Sequence, residues 1–102
     1  MRIRYKAWAR PELEASKFYI DNPEKYRGKW NTLFKNKENP LHLELGCGKG
    51  SFTSQLAVKN RDINYIAVDL VDAMLGLAKR NIEVAFKEAN REIDNVYITR
   101  YD

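Results

Sequence analysis

Covalent and metal chemistry have little to work with in this sequence. One cysteine and one histidine occur in 102 residues. The lone cysteine, Cys47, excludes an internal disulfide and a cysteine-based zinc site, and it fits a reducing, cytoplasmic setting. No metal site is expected. Apolar runs are short, and none approaches the roughly 20 residues that span a bilayer, so no membrane partner is expected either. The opening MRIRYKAWAR is basic and aromatic with no apolar stretch behind it, which argues against a secretory signal. Proline and glycine are sparse, at three and five residues. The composition is that of one small globular domain, without repeats or low-complexity segments. Yet three of the five glycines fall together, at positions 46, 48 and 50.

Positive charge is abundant, and it is concentrated at one end. Residues 1–39 carry ten Lys/Arg and five Asp/Glu, a net of +5, whereas residues 40–102 carry eight and nine, a net of −1. Such a segment suits a polyanion contacted mainly through residues 1–39; a solvated basic tail has the same composition. Pro40 closes the polar, turn-rich stretch KNKENP, and the chain divides there into a basic segment, 1–39, and a second unit, 40–102. Within the first, DNPEKYRGKWNTLF predicts a helix. Asn22 would cap it, Pro23 suits its first turn, and Glu24 complements its dipole. Tyr26, Trp30, Leu33 and Phe34 would then share one face, although Gly28 weakens the helix.

Beyond Pro40 the pattern alternates. LHLEL (41–45) reads as a short strand and SFTSQLAVKN (51–60) as a helix. INYIAVDL (63–70), rich in β-branched and aromatic residues, reads as a buried strand. Asp72 would cap a long helix whose apolar stripe runs Met74, Leu75, Ala78, Ile82, Ala85, Phe86, Ala89 and Ile93, with Glu83 and Lys87 as a supporting pair. NVYITRY (95–101) reads as a third strand. The order β-α-β-α-β with short links implies parallel strands and right-handed crossovers. The fold class is therefore α/β: one half of a Rossmann-like, doubly wound sheet, preceded by a basic helical segment. In a complete sheet strand 41–45 would be central. Left at an edge, an apolar strand invites pairing, so the expectation is a piece of a larger protein, or a homodimer through that edge.

The glycine loop discriminates among ligands. A P-loop requires Gly-Lys followed by Ser or Thr, but Gly50 follows Lys49. A dinucleotide fingerprint requires a third glycine at 51, where Ser51 stands. What remains is E-x-G-x-G-x-G with an acid, Glu44, inside the strand. A carboxylate there repels a pyrophosphate but tolerates an ammonium or sulfonium, and Gly46 and Gly48 let a ligand approach the backbone. Asp69, at the end of the second strand, can accept the hydroxyls of a ribose, and Asp102, at the end of the third, can accept an adenine amino group. A cationic, phosphate-free nucleoside satisfies all of this, and S-adenosylmethionine is one. His42, alternating with apolar neighbours, reads as packing. Cys47 reads as a small residue lining the loop, since no base is placed to activate it.

With these motifs in view, the chain resembles the bacterial tRNA (guanine-N7)-methyltransferases. MRIRYKAWA resembles the opening of that family, NPEKYRGKWNTLF its tRNA-side segment, NPLHLELGCGKGSF its cofactor loop, and INYIAVDL and NVYITRYD its second and third strands. The match covers nearly all 102 residues but only the N-terminal half of the family's usual length. The resemblance implies S-adenosylmethionine as cofactor, held by Glu44, Gly46, Gly48, Asp69 and Asp102. It implies tRNA as partner, with Arg2, Arg4, Lys6 and Lys29 as backbone contacts and Arg10, Lys25 and Arg27 beside them. Trp8, Tyr26 and Trp30 are interleaved with these cations; packing is the expected role of Tyr26 and Trp30. The family often has Glu where Asp69 stands and Asn where Arg100 stands. Its catalytic region, around a D-P-W-P-K motif, has no counterpart in these residues, so no catalytic residue is assigned. The implied activity is methylation of guanine N7, with this chain supplying the cofactor half and being inactive alone. The competing readings are a non-catalytic RNA- or cofactor-binding module and part of a methyltransferase for another substrate.

Overall fold

A computed structural model describes residues 5–101. Arg2, Arg4 and Asp102 lie outside the described residues. The elements run α1 (Ala9–Glu14), β1 (Tyr19–Ile20), two 3₁₀ turns (Pro23–Tyr26 and Trp30–Leu33), β2 (Leu41–Leu45), α2 (Ser51–Lys59), β3 (Asn64–Asp69), α3 (Asp72–Glu88) and β4 (Val96–Arg100). The four strands form one parallel sheet in the order β1-β4-β3-β2. This is the α/β, Rossmann-like arrangement expected from the alternating pattern.

The two sheet faces are covered differently. Tyr65, Ala67, Val96 and Ile98 pack with Ala57 of α2 and with Leu75, Ile82 and Phe86 of α3. Ile66 and Val68, of opposite parity on β3, pack on Phe34, with Trp30, Leu33, Leu41 and Tyr97 around them. The Phe34 ring meets Tyr97 edge-on at 5.1 Å. On this second face an apolar groove of about 260 Å³ runs past Trp30, Leu43, Leu45, Val68 and Tyr101. β2 is the edge strand expected from its sequence, with Leu43 58% and Leu45 74% exposed.

The residues before Pro40 depart most from expectation. The helix predicted from Asn22 to Phe34 is two separate 3₁₀ turns, and Asn22 makes no side-chain cap. Gly28, at φ +77°, lies between them and interrupts any continuous helix. The one α-helix before β2 is α1 instead, among the described residues. It buries Ala9 and Leu13, four apart, against α3, and carries Pro11 in its first turn, where no N–H is missed. Two residues of β1 then add to β4, where the Thr99 hydroxyl donates to the Ile20 carbonyl at 2.7 Å.

Two further expectations change on α3. Asp72 is not its cap: Val71 occupies that position and Asp72 is the first helical residue. Glu83 pairs with Lys79 at 3.0 Å, one turn back, rather than with Lys87. In the expected stripe, Leu75, Ala78, Ile82 and Phe86 are buried while Ala89 is exposed. The helix closes with Asn90 in the left-handed region, the Asn90 N–H donating to the Lys87 carbonyl and the Arg91 N–H to that of Phe86, a Schellman ending. No helix of the described residues is long and apolar enough to cross a membrane.

Candidate functional site

The site is built where β2 and β3 end. Register pairs Glu44 with Ala67, and Asp69 lies two residues further along β3, on the same face as Ala67. Both acids therefore sit on the helix-covered side of the sheet, at its carboxyl edge. Glu44 is half-buried and accepts a hydrogen bond from the Thr53 hydroxyl, on the first turn of α2. That turn carries no acid of its own, so Glu44 also faces the positive end of α2 uncontested.

The glycine loop arches from β2 into α2 and is held at several points. The Cys47 N–H donates to the Val68 carbonyl at 2.9 Å, and the Gly50 N–H to the Cys47 carbonyl at 3.0 Å. The Gly48 N–H donates to Asp69 Oδ2 at 2.9 Å, while the other oxygen, Oδ1, accepts from the Val71 N–H at 3.1 Å. From α3, Asn81 Nδ2 donates to the Lys49 carbonyl at 2.8 Å. Asp69 thus braces both the loop and the start of α3. Each of its oxygens keeps a second lone-pair site for a ligand hydroxyl.

The three loop glycines do different work, although all have positive φ. A Cβ built on Gly46 or Gly48 meets nothing within 4 Å. One built on Gly50 meets the Ala78 Cβ at 2.7 Å, so this glycine is required by the packing of α2 on α3. Open space beside Gly46 and Gly48, flanked by two carboxylates, fits a nucleoside bearing positive charge. Cys47, between Gly46 and Gly48 in the loop, is partly buried against the core. Its thiol is pushed up to about 12, chiefly by burial and further by the charges of Asp69 and Glu44. At neutral pH it stays protonated and is no nucleophile.

The cations before Pro40 divide into tied and free. Arg10, expected to face RNA, binds Asp72 at 3.0 Å instead. Trp8 lies under the Arg80 guanidinium, 3.6 Å from ring centroid to Cζ, and against Gly76. Glu12 accepts from Arg80 at 2.8 and 2.9 Å and from Lys79 at 3.3 Å. Arg100 donates to the Leu70 carbonyl at 2.9 Å. Lys25, Arg27 and Lys29 are exposed, Lys6 is half-buried, and none of the four makes an ion pair among the described residues. The Tyr26 and Trp30 rings meet tilted, with centroids 6.2 Å apart, and Trp30 packs on the sheet. Sequence reading missed Thr53, Asn81 and the Arg10–Asp72 pair: Thr53 reaches Glu44 across the glycine loop, the other two join residues remote in the chain, and no local pattern marks any of them.

Comparison with known proteins bears on this geometry. A family model described as "Putative methyltransferase" matches residues 38–102, the span that contains both acids and the glycine loop. The chain belongs to this methyltransferase family. A protein of Clostridium beijerinckii named tRNA (guanine-N(7)-)-methyltransferase is 58% identical over 96 residues, covering 94% of this chain and 43% of the relative. Proteins of the same name from Clostridium perfringens and Ruminiclostridium cellulolyticum are 55% and 53% identical, the latter across all of this chain and 43% of its own length. The chain thus spans under half the length of these curated relatives.

Proposed function

We propose that this chain is the cofactor-binding part of an S-adenosylmethionine-dependent enzyme that methylates guanine N7 in tRNA. The observation that carries the reading is the E-x-G-x-G-x-G loop, with Glu44 and Asp69 on one face of the sheet edge and open space at Gly46 and Gly48. The names of the relatives support the choice of substrate.

S-adenosylmethionine, when bound, supplies an electrophilic methyl group. Glu44 would hold its ammonium end and Asp69 its ribose, with Gly46 and Gly48 admitting it to the backbone. Asp102 is retained as the partner of the adenine amino group. Guanine N7 carries a free lone pair, so no side chain has to remove a proton before attack. The protein's task is alignment of two bound groups, which is worth much of such a barrier. Asn81 and Asp69 serve that task by fixing the loop.

Residues 1–39 are assigned to RNA and 40–102 to cofactor. Lys6, Lys25, Arg27 and Lys29, with Arg2 and Arg4, would bind backbone phosphates; Arg10 is withdrawn from that set because Asp72 occupies it. The exposed edge of β2 would receive a further strand.

Titration of the chain with S-adenosylmethionine by calorimetry, with its solution mass measured alongside, tests the cofactor assignment: saturable one-to-one binding is expected, and no binding by the folded chain overturns it. For RNA, Lys25→Ala, Arg27→Ala and Lys29→Ala combined should weaken tRNA binding and flatten its salt dependence, by about 0.7–0.9 in log–log slope for each phosphate no longer neutralised. An unchanged slope removes these residues from the interface.

A further inference from the structure

Two of the hydroxyls on the first turn of α2, those of Thr53 and Ser54, behave differently. The Ser54 hydroxyl turns back onto its own helix, donating to the Ser51 carbonyl at 2.9 Å, which is how helical serines and threonines ordinarily satisfy themselves. The Thr53 hydroxyl instead leaves the helix and donates to Glu44 Oε1 on β2. Thr53 is 1% exposed, so this bond is its protection against burial of an unpaired hydroxyl. It is also a strap across the mouth of the glycine loop, joining the strand before it to the helix after it. Among the described residues Glu44 makes no other side-chain hydrogen bond, which leaves Oε2 free. Of the two carboxylates at the sheet edge, Asp69 is fixed by backbone N–H groups on both oxygens, whereas Glu44 is fixed on one.

We propose that Thr53 is a positioning residue for Glu44, holding one carboxylate oxygen so that the other is presented to the ammonium group of an amino-acid-bearing nucleoside. This rests on the reading of Glu44 as the ammonium partner. A glutamate has three side-chain torsions, and the strap removes most of their freedom before a ligand arrives, which is preorganisation of a charged contact. The effect is specific to the arm of the ligand that carries the ammonium; the nucleoside portion lies with Asp69.

The test compares two ligands by calorimetry on this chain: S-adenosylmethionine, and 5′-methylthioadenosine, which shares the nucleoside but lacks the amino-acid arm. Thr53→Val, nearly isosteric, should weaken S-adenosylmethionine about tenfold, and Thr53→Ser should stay within about twofold of wild type, since it keeps the hydroxyl. Affinity for 5′-methylthioadenosine should be unchanged in both. In a Glu44→Gln background Thr53→Val should cost far less than it does alone, because the two act through one interaction. Should thermal melting show Thr53→Val to be unfolded, Thr53→Ala is read in its place. The proposal is overturned if Thr53→Val binds S-adenosylmethionine as wild type does, if it loses both ligands equally, or if its loss adds fully to that of Glu44→Gln. Wild-type protein binding neither ligand would overturn the cofactor site itself, and wild type binding both equally would overturn the role of Glu44; those outcomes are separate from failure of the Thr53 strap alone.

Discussion

Replacing Gly50 with alanine should be far more damaging than the same change at Gly46, although both residues have positive φ, +71° and +68°. A Cβ in the left-handed region costs about 1–2 kcal/mol at either site. At Gly46 that is the whole penalty, because the added atom enters open space. At Gly50 the added atom stands 2.7 Å from the Ala78 Cβ and 3.1 Å from its Cα. Neither neighbour is the end of a flexible side chain, so α2 and α3 must move apart. Overpacking of that kind adds about 1–3 kcal/mol, out of a total stability of about 5–15 kcal/mol for a domain. Gly50→Ala should therefore melt below Gly46→Ala by on the order of 10 °C. Adding Ala78→Gly removes the clashing atom and should recover part of the loss, less about 1 kcal/mol for glycine inside a helix. The assay is thermal and urea unfolding of the single variants and the double. Equal melting of Gly50→Ala and Gly46→Ala, or no recovery in the double, would refute the division of the loop into one packing glycine and two open ones.

The remaining expectations concern acids and the thiol. Glu12 is held down from 4.5 to about 2, first by its hydrogen bond to Arg80 and further by Lys79, against the opposing effect of burial. Its folded value lies below its unfolded one, so its contribution is complete above about pH 4.5 and is lost as pH falls toward about 2. In a Trp30→Phe background, Trp8 fluorescence should change across that window, and a trace that Glu12→Gln leaves unaltered would contradict the assignment. Asp69→Ala removes the acceptor for both the Gly48 and Val71 N–H groups; it should lower the melting temperature and weaken S-adenosylmethionine more than about tenfold, and unchanged affinity by calorimetry would sink the ribose assignment. Cys47 should react with iodoacetamide at pH 8 much more slowly in the folded protein than in urea, as its thiol is raised to about 12; equal rates would show it to be exposed and ionisable.

The parts of this fold that the sequence made legible are those whose cause is local. β2 runs over residues 41–45 as expected, where leucines alternate with polar residues up to the glycines, and β3 and β4, each a run of β-branched and aromatic residues, lie within one residue of their expected ends. The loop was legible because glycine is the residue that tolerates its φ values. The segment before Pro40 was not, because its conformation is decided from outside. The six residues ARPELE have too few apolar positions to reveal a period, and α1 is held by partners on α3, some 70 residues away. A two-residue strand such as β1 has no alternation to detect. Between Asn22 and Phe34 a helical face was present in the sequence, yet the backbone at Gly28 overrode it. Of the site, the acids and glycines could be read from spacing, whereas Thr53 and Asn81 could not: each is an ordinary polar residue on a helix until its partner is brought beneath it.

α3 explains why the two ends of the chain meet at one place. Within ten residues it carries Asp72, bound to Arg10; Gly76, against Trp8; Ala78, against Gly50; Lys79 and Arg80, bound to Glu12; and Asn81, bound to the Lys49 carbonyl. Successive residues on a helix point to different sides, so one face serves α1 while the adjoining face serves the glycine loop. α1 is thereby a fixed part of the body rather than a loose arm. The β1 strand and the packing of Trp30 on the sheet then anchor either side of Lys25, Arg27 and Lys29, whose side chains remain exposed. Lys25, Arg27 and Lys29 are thus cations without an ion pair among the described residues, carried between fixed points, whereas Arg10 is tied to Asp72, three residues beyond Asp69, and fastens α1 to the start of α3.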